Sequence, residues 1–155
     1  MKLLKLLYLA DRKALLEHGH PITYDRYVSM DHGPVLSQTY NLMVAEESPE
    51  RPTYWRRFIS EPEHYEVCLE NEAPNGELSP AQGAILDAVF AEFGSLNRWE
   101  LVALSHQLPE WEDPQGSSVP IDIHDVLRAG GLSDEDVEAV EEALASEDAL
   151  AQLLK

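Results

Sequence analysis

The sequence opens with MKLLKLLYLADRKALL, residues 1–16, a stretch with leucine or alanine on every side of a helix. A helix that is apolar all round lies at the centre of a core rather than half exposed on its surface. Lys5 interrupts the apolar run, charged residues 11–13 follow at once, and no small-residue cleavage site is present, which argues against a signal peptide. We therefore expect a buried first helix that breaks near Gly19 and Pro21.

Four further helices are marked by their first residues. Ser79 to Gln82 supplies a cap, a proline at the first helical position and a capping-box partner. Asn97 to Glu100 repeats the cap and its partner. Asp122 caps a short helix, and Ser133 begins the last one with acids at the positive end of its dipole. After that helix, residues 146–155 form a further amphipathic turn or a frayed tail.

The region between the first helix and residue 70 is less regular. Residues 22–30 are expected to be irregular with one helical turn, and Gly33-Pro34 to open a helix with proline at its first position. Trp55 to Ile59 and Tyr65 to Leu69 read as short strands, and Glu61 to Glu63 between them has turn chemistry. This region therefore predicts a β-hairpin.

Together these elements predict a mainly α protein, a single helical domain with a small antiparallel β-hairpin. The length of 155 residues is that of one domain with a continuous core. We place the domain at residues 1–132 and an acidic helical segment, packed on or flanking the same domain, at residues 133–155. The sequence has no run of 18 apolar residues, so we expect no membrane span.

The net charge of −18 at pH 7 is unevenly distributed. Residues 1–70 hold 8 basic and 11 acidic residues (−3), and residues 71–155 hold 3 and 18 (−15). Because nucleic acid is bound by clusters of lysine and arginine, a nucleic-acid-binding function is the weakest hypothesis. The acidic surface fits plain solubility and a basic partner equally well. The single cysteine, Cys68, excludes an internal disulfide and favours a cytoplasmic protein.

Residue spacings give little support for catalysis. The six histidines are scattered, without the paired spacing of a zinc site. Ser105 and His106 are adjacent, and neighbours on a helix point about 100° apart, too far to act as nucleophile and base. We therefore expect no catalytic residue, no metal and no cofactor, and we do not expect an enzyme.

One block, between Tyr8 and Val35, is dense in polar and aromatic side chains. Tyrosine, tryptophan, arginine and methionine are enriched in protein interfaces. The same side chains also serve inside a core, as internal Asp–Arg pairs and tyrosines with satisfied hydroxyls. Both interpretations stay open. The predicted partner-binding residues are Tyr8, Arg12, Tyr24, Arg26, Tyr27, Met30, His32 and Trp55.

Four stretches together resemble one known family. They are KLLKLLYLADR (residues 2–12), PITYDRYVSMDHGPV (21–35), LSPAQGAILDAV (78–89) and WELVALSHQLPEW (99–111). In this order they are similar to the Panacea domain of SocA-like and phage-associated GepA-like antitoxins, over about residues 1–130. Family members usually have a further helix before KLLKLLYLAD, so either this member is short or its true start lies upstream. If that helix is missing, the first helix is partly exposed, and homodimerisation or a partner would cover it.

The resemblance implies an antitoxin of a type II toxin–antitoxin system, which neutralises a cognate protein toxin by direct binding. The toxins of the family are diverse and include small alarmone synthetase-like toxins. SocA-type members imply an alternative, a proteolytic adaptor that delivers its toxin to a bacterial protease. A third hypothesis is an enzyme that reverses the toxin's modification, supported only by the tyrosine, aspartate, arginine and histidine clustered between residues 8 and 32.

Overall fold

The computed structural model describes residues 1–44, 54–64, 66–74 and 76–154. It confirms a mainly α fold with a small antiparallel sheet. In chain order, the elements are α1 (Lys2–His18), β1 (Tyr27–Ser29), β2 (Val35–Leu36), α2 (Ser37–Val44), a 3-10 turn (Trp55–Arg57), α3 (Pro80–Phe93), α4 (Arg98–Ser105), β3 (Val119–Ile121), α5 (Ile123–Ala129) and α6 (Asp134–Leu153).

Helix α1 is central, as predicted, and packs against neighbours on three sides. Tyr8 and Leu15 join a buried cluster with the sheet, α5 and α6. Leu9 belongs to a second cluster with residues of α3 and α4, and Leu4 to a third with residues of β2 and α2. The helix ends where Gly19 adopts the left-handed conformation (φ 73°). The three packed sides explain why this stretch is apolar all round.

The four helix starts predicted from capping residues are confirmed. Ser79 and Gln82 form a capping box at α3, with proline in the first turn, and Asn97 with Glu100 forms another at α4. Asp122 accepts a hydrogen bond from a backbone N–H of α5. Ser133 caps α6 in the same way. These signals are local, so they act without tertiary contacts.

The sheet is not where the sequence placed a hairpin. Strand β1 lies between β2 and β3 and is antiparallel to both, so that Tyr27 is paired with Leu36 and with Ile121. The irregular segment predicted at residues 22–30 therefore contains the central strand. The predicted helix start at Pro34 is wrong, because a hydrogen-bonded turn at Gly33 leads the chain into β2 instead.

The predicted hairpin at residues 55–69 is wrong in its first strand. Trp55–Arg57 is a 3-10 turn, which places the Trp55 ring against the cluster around Leu4. Among its described residues, the two halves of this segment pair at two isolated antiparallel bridges, Ile59 to Leu69 and Glu63 to Glu66, and the Ser60 hydroxyl accepts a hydrogen bond from the Cys68 N–H. Tyr65 lies outside the described residues.

Helix α6 runs without a break to Leu153, so the separate turn or tail expected from residue 146 is wrong. Val137 is buried in the cluster around Tyr8, and Val140 and Leu144 pack on it. The division of the chain at residue 132 stays a prediction. Among the described residues, no helix combines the length and apolar character needed to cross a membrane.

Candidate partner-binding groove

A groove of about 780 Å³ opens beside the start of α1. Its walls come from the first turns of α1, the turn between β1 and β2, helix α2, and the residues Pro62, Glu66, Val67, Gly116 and Ser117. Apolar side chains line most of it, chiefly those of Leu3, Leu6, Val35, Tyr40, Met43 and Val67. Its size and lining are typical of sites that bind apolar groups.

Lys5 gives this apolar groove a buried cation. The residue lines the groove and is only 2% exposed. Its Nζ donates a hydrogen bond to the carbonyl oxygen of Pro34 at 2.8 Å, and no carboxylate of the described residues forms an ion pair with it. Burial without a counter-charge lowers the pKa of the Lys5 amine to about 7.

The β1–β2 turn beside Lys5 requires glycine at position 33. Gly33 has φ 91°, a conformation that side chains rarely adopt. A Cβ at this position would lie 2.2 Å from the Ser105 Oγ and 3.3 Å from the Lys5 Nζ. The absence of a side chain therefore allows the turn, α4 and Lys5 to approach one another.

The rest of the chain holds this turn in place. The Trp111 indole donates a hydrogen bond to the Met30 carbonyl oxygen at 3.1 Å, and the Gly116 N–H donates one to the Asp31 carboxylate at 2.9 Å. The ring of His32, near the tip of the turn, meets the exposed ring of Trp99 edge to face at 5.8 Å. His32 is therefore an exposed side chain on a turn that hydrogen bonds hold in place.

Trp55 lies beside the groove. It packs on the cluster of Leu4, Val35 and Met43, with Met30 nearby. Its indole Nε1 is buried, and within the described part of the chain no acceptor faces it. A buried donor without a partner is costly.

Tyr8, Arg12 and Tyr27 belong to a buried polar network behind the groove. Glu110 accepts hydrogen bonds from the Tyr8 hydroxyl at 3.0 Å and from the Arg12 Nε and Nη2 at 2.6 and 3.3 Å. Tyr8 and Tyr27 meet edge to face, with ring centroids 5.4 Å apart. Burial and the neighbouring carboxylates raise the pKa of both phenols. Tyr8 and Tyr27 are thus interior residues, and a partner does not reach their side chains in this conformation.

Asp11 organises the chain that follows α1. Its buried carboxylate accepts hydrogen bonds from the Ile22 and Thr23 N–H groups, the Thr23 hydroxyl and the Tyr27 hydroxyl, all at 2.8–2.9 Å. Desolvation raises the pKa of Asp11, and these hydrogen bonds oppose the increase. The carboxylate therefore fixes the entry into β1.

Tyr24 and Arg26 are exposed and do not line the groove. Tyr24 has φ 52°, and its hydroxyl donates a hydrogen bond to Glu147 of α6 at 3.0 Å. Between them, the Asp25 carboxylate accepts hydrogen bonds from the N–H groups of Gln38 and Thr39, in the first turn of α2.

The structure therefore divides the predicted site residues into three groups. Met30 and His32 line the groove, and Trp55 packs on the cluster beside it. Tyr8, Arg12 and Tyr27 lie in or against the buried network, and Tyr24 and Arg26 lie apart. The sequence prediction missed Lys5, Trp99 and Glu110. The sequence does carry a signal at Lys5, since a lysine inside an apolar block either reaches solvent or has a functional role. The sequence around Glu110 and Trp99 carries no such local signal.

Comparison with known proteins gives one match. A family model described as antitoxin SocA-like, Panacea domain, matches residues 3–112. A search of curated proteins and a search of solved structures both returned no match. The matched span contains α1 to α4, the buried network and most of the groove lining. Because the match covers well over half of the chain, this protein belongs to the SocA-like antitoxin family with a Panacea domain.

Proposed function

We propose that this protein is the antitoxin of a type II toxin–antitoxin system, and that it neutralises a cognate protein toxin by binding it at the groove. Membership of the SocA-like family, whose model covers the groove, is the observation that carries this proposal. The protein acts in the cytoplasm, by occupancy rather than catalysis. A small alarmone synthetase-like toxin is one class of partner that the family resemblance implies.

The groove has the properties of a protein-binding site. Leu3, Leu42 and Val44 stay between 38% and 51% exposed in and around it. Exposed apolar side chains beside a concave surface gain free energy when a partner covers them. Trp55, which packs on the cluster beside the groove, is a tryptophan, a side chain enriched where binding energy concentrates.

The direct test is bacterial growth with the product of the adjacent gene expressed alone and together with this protein. We expect the neighbour to arrest growth, this protein to restore it, and the pair to elute from gel filtration as one stoichiometric complex. Two separate peaks would contradict direct binding. Loss of the toxin only in cells that contain a protease would indicate the adaptor, and rescue far below one antitoxin per toxin would indicate an enzyme.

A matched pair of variants tests the groove itself. Leu3→Glu places a charge on the groove wall, and Leu78→Glu does so at a site of similar exposure outside it (38% and 41%). We expect only Leu3→Glu to abolish neutralisation, because a charge in an apolar contact must be desolvated. Tyr24→Ala tests the other exposed surface. Loss of neutralisation in Tyr24→Ala with Leu3→Glu still active would move the contact away from the groove.

A further inference from the structure

We propose that the toxin segment that enters the groove carries a carboxylate, and that this carboxylate pairs with the Lys5 Nζ. The inference rests on the proposed function and specifies the chemistry of the partner: an apolar segment with an aspartate, a glutamate or a terminal carboxylate. The occupant is a segment of the toxin, because the groove is apolar and, among its described lining residues, the fully buried ionisable group is an amine, which pairs with a carboxylate.

Lys5 has unused capacity to bind an anion. An ammonium group has three donors, and among the described residues the Lys5 amine has one acceptor, the Pro34 carbonyl oxygen. The apolar lining of the groove holds the amine away from water, and buried charges are normally paired. A carboxylate on a segment bound in the groove would accept hydrogen bonds from the remaining donors of the Lys5 ammonium group and would neutralise its charge.

The other ionisable groups that line the groove do not fill this role. They are the Met1 amine and the side chains of Lys2, Asp31, His32, Tyr40 and Glu66. Asp31 accepts a hydrogen bond from the Gly116 N–H, and both Asp31 and Glu66 are exposed. Neither carboxylate forms an ion pair with Lys5. In a protein of net charge −18, the buried ionisable group of the groove lining is thus an amine, and no carboxylate of the described residues forms an ion pair with it.

This pairing predicts proton uptake when the toxin binds. With a pKa of about 7, the Lys5 amine is mostly neutral at pH 8. A carboxylate at ion-pair distance stabilises the protonated form and raises the pKa of the amine. Formation of the complex at pH 8 should therefore take up close to one proton, which calorimetry detects as a binding heat that differs between phosphate and Tris buffers.

The test compares wild type with Lys5→Met and Lys13→Met in titrations against the product of the adjacent gene. Lys13→Met is the matched control, because it is the same substitution on the same helix. Lys13 lies outside the groove and pairs with Glu17. We expect Lys5→Met to lose at least about 30-fold in affinity, together with the proton uptake. Lys13→Met should keep both. Wild-type affinity and uptake in a folded Lys5→Met protein would overturn the proposal.

A second titration separates this inference from the proposed function. Decanoate and 1-decanol have the same chain and differ in the carboxylate. We expect saturable binding of decanoate, at least about tenfold tighter than that of 1-decanol, and its loss in Lys5→Met. If the product of the adjacent gene does not bind the wild-type protein, the proposed function fails. The decanoate titration still decides whether the groove binds a carboxylate through Lys5. Equal binding of the two probes, or none, refutes the role of Lys5.

Discussion

The substitution Glu110→Ala tests how much the buried network around Glu110 stabilises the fold. The Glu110 side chain is fully buried, and it accepts one hydrogen bond from Tyr8 and two from Arg12, whose side chain is 16% exposed. Loss of one member of a buried ion pair costs about 3–5 kcal/mol, because the other charge stays behind unpaired. Arg12 recovers some hydration at its exposed edge, but the Tyr8 hydroxyl does not.

A loss of this size is large for one domain. At about 2–4 °C per kcal/mol for a chain of this length, Glu110→Ala should lower the melting temperature by roughly 10 °C. Thermal unfolding followed by circular dichroism measures this change. Glu110→Gln keeps the shape and an acceptor, so it should cost less, about 1–2 kcal/mol.

The matched control is Glu112→Ala, two residues along the chain. Glu112 is exposed, and its backbone N–H, not its carboxylate, bonds to Ser29. Its replacement should change the unfolding free energy by no more than about 0.5 kcal/mol. If Glu110→Ala melts as close to wild type as this control does, the network is not a stabilising feature and the reasoning is refuted.

Three further predictions concern other buried or capping groups. Asp11→Ala should reduce the unfolding free energy by about 2–4 kcal/mol in urea titrations, because four donors lose their acceptor; an unchanged midpoint would argue against it. Asp25→Ala should cost about 1 kcal/mol in the same assay, since two N–H groups of α2 lose their cap; Glu17→Ala, a surface change, is the control. The stability of the wild-type protein should rise between pH 7 and pH 10 relative to that of Lys5→Met. The reason is that Lys5 keeps its proton up to about pH 10.5 in the unfolded chain, but loses it near pH 7 in the folded protein. Parallel stability curves for those two proteins would show that Lys5 is not desolvated.

Local sequence signals determined most of the helical frame. The central position of α1 follows from its apolar residues on every side, and the starts of α3 and α4 follow from capping boxes within four residues. Such signals can be read from the sequence because the interacting groups are neighbours along the chain. The family resemblance was also carried by these local stretches, and the match over residues 3–112 confirms it.

Only the tertiary structure decided the sheet, the network and the groove. Strand β1 pairs with β3 more than 90 residues later, and Glu110 bonds to Arg12 across 98 residues. At Pro34 the local rule gave the wrong answer, because the hydrogen-bonded turn at Gly33 and the pairing of β2 with β1 replace a helix start there. Contacts between distant segments leave no periodic pattern in the sequence, because they form only when those segments pack around α1. The same packing buries Lys5 without a counter-ion among the described residues, and so lowers the pKa of its amine at the floor of a groove.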